Sequence, residues 1–143
     1  MKAIVIDASV SIKWFIPEVH AISATRLLHT NLQFIAPDLI FAEVGNILRK
    51  KYRSKELTLD TASAILDDFK RLPFNIHENE SLLDAAWQIA IAHQCTVYDS
   101  LYVALAQTEG CLLVTADRAL HNALSTTHLA CLLLRVYKKH RLK

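Results

Sequence analysis

The chain has 143 residues, a formal net charge of +2, 52% hydrophobic residues and 21% charged residues. This length favours one domain over residues 1–143, and the high apolar fraction with low net charge excludes disorder as the main state. With two glycines in the chain, both the glycine-rich P-loop and the dinucleotide-binding fingerprint are excluded.

Short apolar runs alternate with helical segments along the chain. In chain order the sequence predicts a strand at 3–6, helices at about 9–15 and 19–29, a strand at 34–36, a helix from the Asp38 cap to about 52, a helix from the Thr58 cap to about 71, a strand at 74–76, helices at 80–93 and 99–109, a strand at 112–114, a helix at 118–124 and a strand at 131–134. This alternation predicts an α/β domain of three layers, with helices on both sides of a central, mostly parallel, five-stranded sheet. Ligands of such sheets bind at the carboxyl ends of the strands.

The cysteine content and the N-terminus favour a cytoplasmic protein. The three cysteines are odd in number and contain no CxxC spacing, which argues against a disulfide framework and a zinc site and favours a reducing compartment. The apolar run between Lys2 and Asp7 is too short for a signal-peptide core. No uncharged apolar run is long enough to span a bilayer, so no membrane association is expected.

Most of the cations lie in two short runs, at 49–55 and 135–143. A charge run is commonly a solvated helix end or a frayed tail. The alternative is a pair of basic patches that attract a phosphate backbone. The sequence leaves both interpretations open.

Several aspartates stand where strands end or helices begin. Asp7 follows the first predicted strand, Asp117 follows the fourth, and Asp99 begins a predicted helix. Aspartate is a favoured N-cap, so each of the three is explained by capping when taken singly. The alternative is that they converge on one site at the carboxyl edge of the sheet.

Glu43 is not explained by capping. Its neighbours at helical spacing, Ile40 and Ile47, place its carboxylate at the edge of a buried stripe, where a charge is costly unless it is paired. Asn46 is one turn further on and is a candidate hydrogen-bond partner, but an amide cannot neutralise a charge. Converging carboxylates without a matching cation predict a bound cation, and hard oxygen ligands select Mg²⁺ or Mn²⁺. Together with the basic runs, this favours phosphodiester hydrolysis.

Four sequence blocks, in this order, resemble the PIN-domain nucleases, and most closely the VapC-type toxins of toxin–antitoxin pairs. The blocks are VIDAS at 5–9 with Lys13 and Trp14, APDL at 36–39 leading to Glu43 and Asn46, YDSLYVALA at 98–106, and VTAD at 114–117. Each block alone is weak, whereas four in this order form a specific signal.

The resemblance implies a PIN-like fold and a Mg²⁺- or Mn²⁺-dependent endoribonuclease. Such nucleases are usually homodimers silenced by a small antitoxin protein. In this sequence the catalytic and metal-binding acids implied are Asp7, Glu43, Asp99 and Asp117. The supporting residues implied are Ser9, Asn46 and Thr115. Candidate RNA-binding cations are Lys13, Arg49, Lys50 and Arg118. For Trp14, packing is favoured over stacking on a base.

Other functions compete with a toxin. An ancillary RNA-processing nuclease of the same fold, without an antitoxin, has the same residues. A phosphoryl-transfer enzyme is disfavoured because aspartate-based phosphatases generally need a second aspartate two residues after the first, where this chain has Ser9. A non-catalytic interaction module would have no use for Glu43 on a half-buried helix face.

Overall fold

Helices flank a parallel sheet in the computed structural model, which describes residues 2–125 and the backbone of residues 131–133. The strands are β1 (Ala3–Ile6), β2 (Gln33–Pro37), β3 (Asn75–His77), β4 (Leu113–Thr115) and β5 (Cys131–Leu133). The helices are α1 (Ala8–Ser11), α2 (Ala21–Leu28), α3 (Leu39–Arg53), α4 (Leu59–Lys70), α5 (Asn79–His93), α6 (Val97–Glu109) and α7 (Arg118–Leu124). The basic run at 135–143 lies outside the described residues.

The sheet has the strand order β3-β2-β1-β4-β5, and each neighbouring pair is parallel. The central strand β1 aligns Val5 with Ile35 of β2 and Ile6 with Val114 of β4. The chain first builds the sheet outward from β1 through β2 to β3, then crosses to the other side of β1 for β4. The gap beyond the carboxyl ends of β1 and β4 is therefore the switch point where ligands of such sheets bind.

The core lies on both faces of the sheet, as expected for a strand that alternates its side chains. Val5 packs in the larger cluster, which contains most of the buried residues of α3, α4, α5 and α6. Ile4 and Ile6 point the other way, into a smaller cluster with Ala24 and Leu27 of α2. The predicted α/β architecture, a parallel sheet with helices on both sides, is confirmed.

Trp14 is a packing residue, as predicted. The predicted helix at 9–15 is divided into α1 and a 3₁₀ turn at Ile12–Trp14. This turn brings the indole against Phe34, with ring centroids 5.2 Å apart, and its Nε1–H donates to the Ala24 carbonyl at 2.9 Å. Both ends of the side chain are therefore engaged within the fold.

Two predicted helix starts were wrong. The helix predicted at 19–29 begins at Ala21 because His20 has a left-handed backbone, φ 66°, which a right-handed helix cannot contain. The helix predicted at 99 begins two residues earlier, because Thr96 is the N-cap and accepts from the Asp99 N–H at 3.0 Å. Asp99 is therefore inside the helix, and capping does not explain it.

Asp38 precedes α3 as predicted but does not cap it with its own side chain. The Leu39 N–H donates instead to Asn79 Oδ1 at 3.2 Å, and the Asn79 N–H donates to Asp38 Oδ1 at 3.2 Å. This exchange joins the starts of α3 and α5. The predicted Thr58 cap of α4 and the predicted Gly110 end of α6, at φ 62°, are confirmed.

Within residues 2–125, no helix has the length and apolar character needed to cross a membrane.

Candidate active site

A cavity of about 230 Å³ opens at the switch point of the sheet. Its lining residues are Asp7, Ala8, Ser9, Glu43, Asn46, Ile47, Lys50, Asp99, Tyr102 and Asp117. The four carboxylates singled out in the sequence thus reach one cavity from four separate segments: the end of β1, the middle of α3, the first turn of α6 and the end of β4. Lys50 is the one cation among these lining residues.

Asp7 is the most buried of the four acids, with 7% of its surface exposed. Its Oδ1 accepts from Ser9 Oγ at 2.5 Å and from the Val10 N–H at 3.1 Å, and its Oδ2 accepts from Thr115 Oγ1. Burial raises the pKa of Asp7 from its ordinary 3.8 to about 6, against the opposing effect of these three hydrogen bonds. The hydrogen bonds orient the carboxylate without fully offsetting the cost of burying its charge.

The two hydroxyls that hold Asp7 are themselves held by the loop after β4. Ser9 Oγ accepts from the Ala116 N–H at 3.1 Å, and Thr115 Oγ1 accepts from the Asp117 N–H at 3.0 Å. A backbone N–H can only donate, so each hydroxyl accepts from its backbone partner and donates its one proton to Asp7. The end of β4 therefore fixes the carboxylate that follows β1.

Glu43 has a partner that the sequence analysis missed. Tyr102 of α6 donates its hydroxyl proton to Glu43 Oε1 at 2.6 Å, whereas Asn46, the partner considered from the sequence, lines the same cavity. Burial raises the pKa of Glu43, the Tyr102 hydrogen bond lowers it, and the charge of Asp99 raises it further. Tyr102 is three residues after Asp99 and hence on the same helix face, but this spacing does not identify Glu43 as its partner.

Asp99 and Asp117 form the outer part of the acidic group. Burial raises the pKa of Asp99, and so does the neighbouring charge of Asp117. Asp117 is also the N-cap of α7, as predicted, and its Oδ1 accepts from the Ala119 N–H at 2.9 Å. Asp7 and Asp117 therefore each cap a helix and line the cavity at the same time.

The donor set fits a hard divalent cation. Carboxylate oxygens are the ligands that Mg²⁺ and Mn²⁺ prefer, and burial, aided by neighbouring carboxylates, raises the pKa values of Asp7, Glu43 and Asp99, a cost that a bound cation would offset. No three histidine, cysteine, aspartate or glutamate side chains in the described part of the chain form a ready-made metal cage. Mg²⁺ ordinarily keeps several waters and takes one or two carboxylates, so a sparse, open site of this kind fits it.

The four cations considered for RNA binding lie in different places. Lys50 lines the cavity, and Arg49 and Arg118 are exposed outside its lining. Lys13 is 11% exposed and forms an ion pair with Glu18 at 2.9 Å. Lys50 is therefore the one of the four that the structure brings to the carboxylates.

The burial of Asp7 predicts a pH-dependent stability of the metal-free protein. Because the folded-state pKa is about 6 and the ordinary value is 3.8, the contribution of Asp7 is fully present below about pH 4 and is lost as pH rises through 6. The shift corresponds to about 3 kcal/mol in the free energy of unfolding. We expect Asp7→Asn, which cannot ionise, to lose less stability than wild type between pH 4 and pH 7 in EDTA. Urea unfolding at both pH values measures this, and equal losses in the two proteins would contradict it.

Comparison with known proteins places this chain in a family. The family model described as PIN domain matches residues 4–123. The chain is 36% identical to the ribonuclease VapC3 of Pyrobaculum aerophilum over 121 residues, which cover 82% of this chain and 91% of that protein. The crystal structure of PAE2754 from Pyrobaculum aerophilum matches with a TM-score of 0.67 and 27% identity, covering 91% of this chain and 83% of that one. A toxin–antitoxin complex from Klebsiella pneumoniae matches with a TM-score of 0.61 and 15% identity, covering 91% and 96%, and at this identity it shows the fold alone.

Proposed function

This chain belongs to the PIN-domain family, and from that premise we propose that it is a divalent-metal-dependent endoribonuclease that hydrolyses RNA phosphodiester bonds. The name of the Pyrobaculum aerophilum relative, a ribonuclease, supports the reaction. The observation that carries the proposal is the meeting of four carboxylates at the switch point of the sheet, with one lysine beside them.

An acidic cavity repels RNA unless a cation lies between the two. Asp7, Glu43, Asp99 and Asp117 are the carboxylates that would hold Mg²⁺ or Mn²⁺, some of them directly and the others through its waters. When bound, such a cation supplies positive charge opposite the scissile phosphate and activates water. The chain's own residues fix the geometry: Ser9 and Thr115 orient Asp7.

Lys50 contributes positive charge from within the cavity. A lysine ammonium binds phosphate as a point charge, so we assign Lys50 to an RNA phosphate next to the cleavage site. Arg49 and Arg118 are exposed and would contact the backbone further along the strand. Lys13 is less suited to this role because Glu18 already pairs with it.

Cleavage of a structured RNA pool tests the reaction. The purified protein is incubated with the pool in Mn²⁺ and, separately, in EDTA. Discrete fragments in Mn²⁺ and none in EDTA are the expected result. Equal cleavage under both conditions would contradict metal dependence, and intact RNA in both would contradict the proposed reaction on these substrates.

The same premise supports a role as the toxin of a type II toxin–antitoxin pair, with a small antitoxin as partner. An ancillary RNA-processing nuclease without antitoxin is the competing function. Expression of the chain in a bacterial host separates the two. Growth arrest that is relieved by co-expression of an adjacent short reading frame is expected for a toxin, and growth unaffected by the chain favours the ancillary nuclease.

We also propose that the chain forms a homodimer through α5. Leu83, Trp87 and Ile91 are 47%, 58% and 65% exposed and form one stripe, because they are spaced four residues apart on a helix. The stripe is symmetric about Trp87, so a two-fold axis there places Leu83 on the partner's Ile91. Glu80 and Asp84 are on the same helix, which contains no lysine or arginine, and this disfavours RNA as the occupant.

Trp87→Glu should convert the dimer to a monomer, because the two-fold axis would bring two glutamates together in an apolar contact. Light scattering after size exclusion measures the mass. Gln88→Glu is the matched control, since it adds the same charge at an exposed position beside the stripe and should leave the dimer intact. A wild-type monomer, or a Trp87→Glu dimer, would contradict the proposed interface.

A further inference from the structure

The hydroxyl of Tyr102 joins two of the four carboxylate-bearing segments, α6 and α3. It donates to Glu43 Oε1 at 2.6 Å, and it lies near the backbone of Ala8, the residue after Asp7. Tyr102 itself is on α6, three residues after Asp99. We propose that Tyr102 is a positioning residue that holds Glu43 in the orientation needed to bind the divalent cation; this inference rests on the proposed function.

The direction of the hydrogen bonds follows from the chemistry of a phenol. A tyrosine hydroxyl has one proton to donate and a lone pair with which to accept. The ionised carboxylate of Glu43 can only accept, so the proton goes to Glu43 Oε1. Burial raises the pKa of Tyr102, and the neighbouring Glu43 charge raises it further, which keeps the proton on the hydroxyl.

This arrangement restricts Glu43 strongly. A glutamate side chain has three rotatable bonds, and ordering it costs conformational entropy. With Oε1 held by Tyr102, the carboxylate has fewer accessible orientations, and its other oxygen would remain available to bind the cation. Because Tyr102 is 1% exposed and packed in the larger core cluster, the hydroxyl that fixes Glu43 is itself immobile.

The hydrogen bond also ties the acids to one another. Ala8 follows Asp7 directly, and Asp99 precedes Tyr102 by one helical turn, so any movement of Glu43 away from Tyr102 changes its distance to both acids. Partners of metal ligands that orient them in this way typically contribute 10- to 100-fold to metal affinity.

Mn²⁺ binding to RNA-free protein tests the inference without relying on activity. Isothermal titration should show affinity about 10- to 100-fold weaker in Tyr102→Phe than in wild type. Phenylalanine keeps the ring and its packing and removes the hydroxyl. Tyr52→Phe is the matched control, because Tyr52 is on α3 with Glu43, is 44% exposed and does not line the cavity; it should bind Mn²⁺ as wild type does.

A double-mutant cycle with Glu43→Gln distinguishes positioning from general damage. If Tyr102 acts through Glu43, Tyr102→Phe weakens binding no further once Glu43→Gln is present. Two results would overturn the role of Tyr102 while leaving the metal site in place. One is an additive loss of Mn²⁺ affinity in the double variant. The other is wild-type affinity in Tyr102→Phe together with weakened binding in Glu43→Gln. Wild-type affinity in Glu43→Gln would overturn the metal-site assignment of the proposed function.

A measurement on the wild-type protein covers the case in which Tyr102→Phe does not fold. The ¹³Cζ chemical shift of a tyrosine reports the hydrogen bond of its hydroxyl. On addition of Mg²⁺ to ¹³C-tyrosine-labelled protein, the Tyr102 resonance should move while the Tyr52 resonance stays in place. An unmoved Tyr102 resonance at saturating Mg²⁺ would overturn the inference.

Discussion

Replacing Asp7 by asparagine should lower RNA cleavage by about 1000-fold while leaving the fold intact. The change removes one negative charge from the cavity and one cation ligand, and the loss of several kcal/mol of charge stabilisation in the transition state corresponds to a factor of this size. The fold is retained because Asn has the same shape and its Oδ1 still accepts from the Val10 N–H. Initial rates of cleavage of one RNA substrate in Mn²⁺ measure the effect.

Asp38→Asn is the matched control for this substitution. Asp38 also stands directly before a helix, but it is exposed, and its carboxylate accepts from the Asn79 N–H outside the cavity. Its replacement should change the rate less than about threefold. Comparable losses in both variants would show that the effect of Asp7→Asn is structural, and unchanged activity in Asp7→Asn would contradict the site assignment.

Addition of 10 mM Mg²⁺ or Mn²⁺ to the EDTA-treated protein should raise its melting temperature by about 5–10 °C. A ligand that binds the native state alone at about 100 times its dissociation constant adds about 2.7 kcal/mol, and for a chain of this size each kcal/mol corresponds to about 2–4 °C. The physical origin of this binding energy is that the cation compensates carboxylates whose burial raises the pKa of Asp7, Glu43 and Asp99.

Two controls separate site binding from a general salt effect. KCl at the same ionic strength should produce a smaller rise, since monovalent ions screen charge without coordinating it. Asp7→Asn should lose most of the divalent-specific rise. If KCl reproduces the rise in melting temperature of the wild type, or if Asp7→Asn retains that rise in full, the carboxylates have no metal-binding role.

The positions of Asp7 and Asp117 were predictable because they follow from local chain direction. A carboxylate after a buried parallel strand lies at the carboxyl edge of the sheet, and β1 and β4 are neighbours there. The capping and site interpretations do not exclude each other, because Asp7 and Asp117 each cap a helix and line the cavity. One orientation of the aspartate side chain both caps the helix and lines the cavity, so N-cap propensity alone does not distinguish a capping residue from a site residue.

The environment of Glu43 was predictable only in part. Helical periodicity correctly placed it at the edge of a buried face, between Ile40 and Ile47. Its partner Tyr102 is 59 residues away in sequence, and no local rule identifies a contact between two helices.

The errors at helix starts have specific causes. Thr96 and Asp99 are both residue types that favour the N-cap of α6. An N-cap side chain accepts from the backbone N–H three residues later. Thr96 stands three residues before the Asp99 N–H and therefore caps the helix. The sequence predicts Asp38 as the cap of α3, but Asn79 of another helix caps it. In both cases N-cap propensity favours the aspartate nearest the boundary, whereas the structure uses a different donor–acceptor pair.

Anomalous diffraction from crystals grown in Mn²⁺ tests the central claim most directly, because it locates the cation independently of any assay. The account predicts a peak in the cavity within about 2.2 Å of an Asp7 oxygen and of at least one oxygen of Glu43, Asp99 or Asp117. It also predicts that the peak is absent in crystals of Asp7→Asn. A cavity without Mn²⁺ at saturating concentration, or a peak held by other residues, would contradict the account.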